Sequence, residues 1–383
     1  MGTIEEFLAA RKEKGLLRAL NPISERCEAR VTIRGRDYID FSSNDYLGLS
    51  RHPRLIEEGR LALEKYGSAC SASRLLSGDL ELHHILEERI ASFKNKEAAL
   101  IFNSGYQANL GILSSLYRRG DCIFLDRLAH ASIIDGAELS GARVLRFRHN
   151  DLSHLRELLK KERLRHKKAL VVTETIFSMD GDRAPLKEFV RLKKEFDFRI
   201  MVDEAHATGI FGANGSGVVE EDGLAEDIDL IMGTFSKALA GFGAYLATSR
   251  TIVDYLVNTC RSFIYSTALP PAVIASNIAS LGLVNSERER RKSLLESAGN
   301  LRAQLENRGL KVRGSSQIVP VIIGDTNKTL DAARILQSKG YWALPIRPPT
   351  VPKGESRLRF SLTFFHTRQI LENLVAAINE AEI

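Results

Sequence analysis

Lys237 is the single charged residue in the segment of residues 231–246, which reads IMGTFSKALAGFGAYL. Two settings would explain it. In a surface loop the ammonium group would be solvated, as is usual for lysine. Enclosed among small and apolar neighbours, the amine would have a lowered pKa and could form a Schiff base with a carbonyl group. The choice depends on which other groups lie beside the lysine.

A second segment with chemical potential is residues 201–209, MVDEAHATG, in which Asp203 and His206 directly follow an apolar run. A buried aspartate needs a partner, and a protonated ring nitrogen of a cofactor would serve. His206 would then reach a neighbouring oxygen. The alternative is a metal site on the same pair, but no third ligand stands nearby in the sequence. The pattern therefore favours a cofactor over a metal.

Residues 103–109, NSGYQAN, join a predicted strand end to a predicted helix start. Ser104, Gly105 and Tyr106 would present hydroxyl and backbone N–H groups at that helix N-terminus, which suits a phosphate. An ordinary N-cap at Ser104 explains the same pattern. Thr234 could add a hydrogen bond to a phosphate. His130, which follows the run CIFLD, could stack on a planar ring, move a proton or have a structural role only.

Residues 173–185, TETIFSMDGDRAP, add Ser178 and two acidic residues, Asp180 and Asp182. Two acids this close could bind a magnesium ion. An acid-capped turn before a helix starting near Pro185 is the favoured interpretation.

The elements that must position these loops form an alternating series of strands and helices. Short apolar runs occur at residues 98–103, 122–126, 143–147, 169–175, 199–204, 229–234 and 244–248. Because several are apolar throughout, they predict a mostly parallel sheet in an α/β domain. Ligands of such sheets gather at the carboxyl ends of the strands, which is where these loops would lie.

From about residue 310 the pattern changes. Residues 357–364, RLRFSLTF, alternate between polar and apolar side chains, which predicts a sheet with one face in water. We therefore predict an N-terminal arm over residues 1–45, a large domain over residues 46–285 and a smaller α+β domain over residues 286–383.

Composition narrows the function classes. The formal net charge is +6, but the main basic run, residues 160–168, contains no aromatic residue, so nucleic-acid binding is not predicted. The four cysteines are widely spaced, which is typical of a reducing compartment. No signal peptide and no apolar run long enough to cross a bilayer is recognisable. These features predict a cytoplasmic protein without membrane or metal partners.

Together the loops offer a phosphate seat, a histidine to stack on a ring, an acid for a pyridinium nitrogen and a lysine for an aldehyde. These are the groups that pyridoxal 5′-phosphate (PLP) requires. Walker A, GxGxxG, HExxH and GxSxG motifs do not occur in the sequence. The combination predicts PLP as the cofactor.

Over nearly its whole length the sequence resembles the α-oxoamine synthase family of fold-type I PLP enzymes. The resemblance implies the PLP-dependent transferase fold of type I, with a mostly parallel central sheet in the large domain and a smaller α+β C-terminal domain. The matching stretches are FSSNDYLGLS (41–50), GSACSASRLLSGD (67–79), NSGYQAN (103–109), HASIIDG (130–136), FSMDGD (177–182), VDEAHATG (202–209), GTFSKALAG (233–241), YSTALPP (265–271) and IRPPTVP (346–352).

The resemblance also implies roles for particular residues. Lys237 would form the Schiff base with the cofactor, Asp203 would pair with the pyridine nitrogen, and His206 would contact the phenolic oxygen. His130 would stack on the ring and assist the reaction. The other cofactor-lining positions are Gly105, Tyr106, Ser178 and Thr234.

Two further groups of positions follow from the resemblance. Ser266 and Thr267 would reach the phosphate bound by a neighbouring subunit, which implies a homodimer with shared active sites. The substrate-side positions are Arg18, Asn44, His130, Arg347 and Thr350, and Arg347 would hold a carboxylate. For Arg18 a solvated helix arginine remains the alternative.

The activity implied is decarboxylative condensation of L-alanine with pimeloyl-CoA or pimeloyl-acyl carrier protein, a step of biotin biosynthesis. A relative such as glycine C-acetyltransferase, which uses another amino acid and another acyl-CoA, is one alternative. The other is a catalytically idle binding protein with the same fold. Such a protein would be expected to lack part of the Lys, Asp and His set, whereas this sequence keeps it.

Overall fold

The computed structural model describes residues 3–381, which form two compact units. The larger unit consists of Leu49–Phe177 and Arg183–Arg291. The smaller unit runs up to Gly48, takes in Ser178–Asp182 and continues from Lys292. The N-terminal residues thus share a unit with the C-terminal ones. The division into residues 1–45, 46–285 and 286–383 stays a prediction about independently folding domains.

The described chain alternates helices with strands. The helices are α1 (Ile4–Glu13), α2 (Pro53–Tyr66), α3 (Glu81–Phe93), α4 (Gly105–Leu116), α5 (Ala131–Leu139), α6 (Leu152–Glu162), α7 (Leu186–Glu195), α8 (Val218–Glu221), α9 (Arg250–Thr259), α10 (Arg261–Ile264), α11 (Pro271–Ser286), α12 (Arg288–Glu306), α13 (Thr326–Ser338) and α14 (Arg368–Glu380). The strands are β1 (Ile23–Cys27), β2 (Arg30–Ile33), β3 (Arg36–Asp40), β4 (Ala98–Phe102), β5 (Cys122–Asp126), β6 (Arg143–Phe147), β7 (Ala169–Glu174), β8 (Arg199–Asp203), β9 (Leu230–Thr234), β10 (Ala244–Thr248), β11 (Ile318–Gly324), β12 (Tyr341–Trp342), β13 (Pro345–Ile346) and β14 (Ser356–Ser361). Within residues 3–381, no helix combines the length and the apolar character needed to cross a bilayer.

The larger unit is built on a seven-stranded sheet in the order β4-β10-β9-β8-β7-β5-β6. The pairs from β6 through β9 are parallel, and β10 is antiparallel to both β9 and β4. Each apolar run in the sequence forms one of these strands, and β4, β5, β7, β9 and β10 are buried along their whole length. The prediction of a mostly parallel sheet in an α/β fold is confirmed.

Side chains at the strand ends start the helices that follow. Ser104 caps α4 by accepting a hydrogen bond from the backbone N–H of Gln107. His130 caps α5, because its ring accepts from the backbone N–H of Ser132. Such caps satisfy N–H groups that have no partner inside the helix. Both helices pack on the sheet through one apolar core that includes Ile112 and Ile133.

The smaller unit contains two sheets. Strands β1, β2 and β3 form an antiparallel meander, and β12 joins it in parallel beside β3. The second sheet has the order β11-β14-β13 and is antiparallel. The N-terminal and C-terminal parts of the chain are therefore hydrogen-bonded into one sheet.

The prediction that β14 has one face in water is wrong. All six of its residues are buried, including Arg357 and Arg359 on the face expected to be wet. Arg357 pairs with Asp180 at 2.8 Å, and Arg359 donates to the backbone oxygen of Ser178 at 2.6 Å. Because these partners come from a distant segment of the chain, the local alternation could not reveal them.

Candidate active site

The polar residues of the larger unit gather where its parallel strands end. Glu174, Asp203 and Thr234 are the last residues of β7, β8 and β9. Glu174 is the register partner of Asp203, and Asp203 is the partner of Met232 on the next strand. The carboxyl ends of parallel strands meet at one edge of a sheet, so these side chains belong to one site.

Asp203 is held in place by two hydrogen-bond donors. Its Oδ1 accepts from the backbone N–H of Ala205 at 2.9 Å, and its Oδ2 accepts from Asn109 Nδ2 at 3.1 Å. Asp203 is buried, and so is His206 three residues later. A carboxylate fixed in this way can present its remaining acceptor positions to a protonated ring nitrogen.

Asn109 links Asp203 to His130. The same Asn109 Nδ2 lies 3.0 Å from Ser132 Oγ, and Ser132 Oγ lies 2.8 Å from His130 Nδ1. Asn109 and Ser132 are both buried, and neither was singled out in the sequence. The sequence offered a weak signal for Asn109. It lies five residues after Ser104, which places it in the first turns of a helix that starts at the strand end.

Glu174 is a further site residue that sequence reasoning missed. Its Oε1 accepts from the backbone N–H of His130 at 2.7 Å. Burial raises the pKa of Glu174 to about 8, and the negative charge of Asp203 contributes, whereas the charge of Lys237 acts in the opposite direction. An acidic residue at the end of a strand that is otherwise uncharged was the signal that could have identified it.

His130 favours its neutral form. Removal of water from around the ring lowers the pKa of His130 below its ordinary value, and the ammonium group of Lys237 lowers it further, against the charge of Asp203. Lys237 itself is half-buried in the loop after β9. The effect of its charge on both His130 and Glu174 shows that Lys237 belongs to the same group of residues.

A seat for an anion lies at the start of α4. A Cβ atom added to Gly105 would come within 2.9 Å of Thr234 Cγ2, so the helix N-terminus sits directly against Thr234. The Thr234 hydroxyl is buried and has no hydrogen-bond partner among the described residues. Free N–H groups at a helix N-terminus beside an unpartnered hydroxyl fit a phosphate.

Three other predicted cofactor positions lie in this helix or are hydrogen-bonded near its start. Tyr106 is exposed, and its hydroxyl donates to Asp135. Ser266 Oγ accepts from Gln107 Nε2 at 2.6 Å, and the backbone oxygen of Thr267 accepts from Asn103 Nδ2 at 2.8 Å. Ser266 is thus hydrogen-bonded to Gln107 in the first turn of α4, and Thr267 is hydrogen-bonded to Asn103, which precedes the N-cap.

The remaining predicted positions belong to the smaller unit. Arg18 donates to Thr350 Oγ1 at 2.7 Å, and Arg347 donates to the backbone oxygen of Gly15. Burial lowers the pKa of Arg347, and so do the charges of Arg18 and Arg11. Arg347 thus lies where the charges of Arg18 and Arg11 act on it, and an anion bound there would be stabilised.

Ser178 and Asn44 are both tied to Arg359. The backbone oxygen of Ser178 accepts from Arg359 Nε, and Asn44 Oδ1 lies 3.4 Å from Arg359 Nη2. Asn44 Oδ1 also accepts from the Tyr46 hydroxyl at 3.1 Å. The buried arginine thus fixes two of the predicted positions within this unit.

Asp180 is neutralised by arginines. It bonds Arg313 and Arg357, each at 2.8 Å. Burial would raise the pKa of Asp180, but these two partners hold it below its ordinary value. Among residues 3–381, no group of three or more His, Cys, Asp and Glu side chains is arranged to hold a metal ion.

The fold and the site define the class as a PLP-dependent transferase of fold type I. Residues 36–378 match the family model Aminotransferase class I and II, and the chain belongs to that family. It is 47% identical to 8-amino-7-oxononanoate synthase of Geotalea daltonii, with 99% of this chain and 97% of the relative covered.

Solved structures show the same fold. Serine palmitoyltransferase from S. paucimobilis, with a bound PLP–myriocin aldimine, matches with a TM-score of 0.93 and 32% identity over 99% of this chain and 96% of the other. 8-Amino-7-oxononanoate synthase from Francisella tularensis matches with a TM-score of 0.79 and 29% identity over 90% and 97%.

Proposed function

We propose that the protein is a PLP-dependent acyltransferase that condenses L-alanine with pimeloyl-CoA or pimeloyl-acyl carrier protein. The products are 8-amino-7-oxononanoate, CO2 and the free thiol carrier. The observation that carries the proposal is 47% identity, over 99% of the chain, to a relative named for this product, together with an intact set of Lys237, Asp203 and His206.

The residues fit PLP. The N-terminus of α4 and the unpartnered hydroxyl of Thr234 suit its phosphate. The Asp203 carboxylate suits its pyridine nitrogen, His206 its phenolic oxygen, and the Lys237 amine its aldehyde. When bound, PLP supplies an electron sink that stabilises negative charge at Cα of the amino acid.

The protein's own groups then perform three tasks. Lys237 removes the proton from Cα of L-alanine and later returns a proton to that carbon. Asp203, held in place by hydrogen bonds from Ala205 and Asn109, presents its carboxylate to the protonated ring nitrogen. Arg347 binds the amino acid carboxylate that leaves as CO2.

The positive charge of the smaller unit supports an anionic acyl substrate. Burial lowers the pKa of Arg347, and the charges of Arg18 and Arg11 lower it further, so an anion bound to Arg347 would be attracted by all three guanidinium groups. Arg18 would contact the substrate. Its guanidinium group is oriented by a hydrogen bond to Thr350 Oγ1 at 2.7 Å. Asn44, fixed by Tyr46, and Ser178 would complete the substrate and cofactor contacts of this unit.

Shared active sites in a homodimer are part of the proposal. Leu76 and Tyr265 of the larger unit are 79% and 74% exposed, which is unusual for large apolar side chains and suits a covered surface. Thr267 lies in the same segment as Tyr265 and is exposed. We expect light scattering to give the mass of two chains, and a monomer that turns over at full rate would contradict the shared site.

One experiment separates the proposal from its alternative. The structural match to serine palmitoyltransferase favours, as a second candidate, condensation of serine with a long acyl-CoA. CO2 release should be measured with L-alanine, glycine and L-serine, each against pimeloyl-CoA, acetyl-CoA and palmitoyl-CoA. Turnover confined to L-alanine with the pimeloyl donor supports the proposal, whereas a preference for another pair would reassign the substrate.

A second measurement tests the cofactor without turnover. The protein loaded with PLP should be yellow, and borohydride reduction followed by peptide mapping should find the cofactor on Lys237. The Lys237→Ala variant should lose the absorption band. A cofactor attached to another lysine would overturn the assigned role of Lys237.

A further inference from the structure

One ring nitrogen of His130 faces groups that donate to it. Nδ1 lies 3.2 Å from the backbone nitrogen of Ser132, which can only donate, and 2.8 Å from Ser132 Oγ. A nitrogen that accepts a backbone hydrogen bond carries no proton itself. The ring proton of neutral His130 therefore lies on Nε2.

The orientation of the Ser132 hydroxyl follows from Asn109. Asn109 Nδ2 lies 3.1 Å from Asp203 Oδ2, and a carboxylate only accepts, so the amide must turn its NH2 group toward Asp203. The same NH2 group donates to Ser132 Oγ at 3.0 Å. Ser132 Oγ accepts this hydrogen bond, and because Nδ1 carries no proton, the hydroxyl proton of Ser132 is directed to Nδ1.

We propose that Asn109 and Ser132 are positioning residues that fix His130 as the neutral tautomer with its proton on Nε2. In this form His130 donates a hydrogen bond to a substrate oxygen, either of the carboxylate or of the thioester carbonyl, and does not act as the base. The part that concerns the substrate rests on the proposed function. The tautomer itself rests only on the hydrogen bonds of the chain.

The main chain of His130 is fixed as well. Glu174 Oε1 accepts from the backbone N–H of His130, and the Asn109–Ser132 pair holds the ring. Nε2 has no hydrogen-bond partner among the described residues, so it is the nitrogen left to meet a ligand. Proton removal from Cα is left to Lys237.

The tautomer can be measured directly in the whole protein. Carbon and nitrogen chemical shifts of isotope-labelled histidine distinguish a proton on Nε2, on Nδ1 or on both. The chain has 9 histidines, and the signal of His130 is the one lost in the His130→Gln variant. We expect a neutral ring with its proton on Nε2 near pH 8, with and without PLP. A proton on Nδ1, or on both nitrogens, would overturn the inference.

Variants test the positioning residues. Ser132→Ala and Asn109→Ala should raise the share of the tautomer protonated on Nδ1. Ser132→Ala should lower kcat by about 5- to 10-fold, as expected for one net hydrogen bond, with KM for L-alanine nearly unchanged. Asn109→Ala also loses the hydrogen bond to Asp203 and should lower kcat further. The matched control is Ser114→Ala on α4, whose hydroxyl donates to the backbone oxygen of Leu110 at 2.6 Å and should leave the His130 signal and kcat unchanged. A wild-type tautomer ratio in both variants would show that these residues do not fix the ring.

The two proposals fail in different ways. Loss of the predicted turnover would remove the proposed function but leave the tautomer of the unloaded protein measurable. A ring protonated on Nδ1 in an enzyme that forms 8-amino-7-oxononanoate would overturn only the role given to Asn109 and Ser132.

Discussion

Glu174 and Asp203 are register partners on adjacent parallel strands, so two buried acidic side chains stand side by side at the ends of β7 and β8. Asp203 accepts hydrogen bonds from Ala205 and Asn109, whereas Glu174 accepts one from the backbone of His130. Two neighbouring carboxylates cannot both ionise freely, and the better stabilised one keeps the charge. The proton therefore resides on Glu174, whose pKa is raised to about 8.

This assignment predicts how stability depends on pH. A carboxyl group with a raised pKa binds more protons in the folded state than in the unfolded state. The contribution of Glu174 to the free energy of unfolding is therefore present below its ordinary pKa of 4.5 and is lost as the pH rises toward 8. Glu174→Gln keeps an acceptor for the backbone N–H of His130 but cannot ionise. Between pH 4.5 and 8, its free energy of unfolding should therefore fall less than that of the wild type, by on the order of 5 kcal/mol. Urea unfolding of the PLP-free protein at several pH values measures the difference.

The control for this prediction is Glu157→Gln on α6, which removes an exposed carboxylate. It should follow the wild-type profile. Parallel profiles for the wild type and Glu174→Gln would mean that Glu174 is ionised in the folded protein.

Asp203→Asn should separate cofactor binding from catalysis. The amide keeps the shape of the side chain but cannot hold a ring nitrogen protonated, so kcat should fall by about 100-fold or more while the yellow colour remains. Steady-state kinetics and absorption spectra measure the two effects. Asp254→Asn, at an exposed position on α9, is the control and should behave as the wild type. An Asp203→Asn variant with normal kcat would exclude the assigned role.

Thr234→Val should have opposite effects on the loaded and unloaded protein. It removes a buried hydroxyl that has no partner among residues 3–381, so the unloaded protein should be stabilised by about 1 kcal/mol. It also removes a donor to the phosphate, which should weaken PLP binding by about 10- to 100-fold. Fluorescence titration and urea unfolding provide the two values.

Thr248→Val is the matched control, because the Thr248 hydroxyl donates to the backbone oxygen of Asp229 at 2.7 Å. It should destabilise the unloaded protein and leave the Kd for PLP unchanged. Unchanged PLP affinity in Thr234→Val would place the phosphate elsewhere.

Asp180→Asn should destabilise the smaller unit strongly. It removes the closer of the two carboxylates that pair with the fully buried Arg357, leaving only Glu355 at 3.3 Å, and the loss of a partner from a buried ion pair costs about 3–5 kcal/mol. Because the pKa of Asp180 is lowered, its contribution to the free energy of unfolding is present above the ordinary pKa of 3.8. That contribution is lost as the pH falls below this value. The deficit of the variant should therefore be large at pH 7 and shrink near pH 3, as measured by urea unfolding.

Asp331→Asn provides the comparison for Asp180→Asn. The pair of Asp331 and Arg334 is 62% and 72% exposed, so its loss should cost less than about 1 kcal/mol. Equal effects of the two variants would contradict the buried ion pair.

The sequence predicted the strands of the larger unit almost to the residue, because strands buried on both faces must be apolar throughout. It also placed Asp203 and Thr234 at the ends of strands, and His206 and Lys237 shortly after those ends, where the structure has them. It did not single out Asn109, Ser132 or Glu174, because each is hydrogen-bonded in the site to a residue 23 to 94 positions away in the chain. The local alternation of β14 was misleading for the same reason, because the partner of Arg357 lies 177 residues away.

The parallel pairing of β3 with β12 constrains the order of events during biosynthesis. The partners of β3, Tyr341 and Trp342, leave the ribosome some 300 residues after Ile39 and Asp40, with which they pair. Until then the β1–β3 meander has an uncovered edge, which is a hazard for mispairing between nascent chains. Chaperone dependence during translation should accordingly last from the emergence of β3 until Tyr341 and Trp342 have been made.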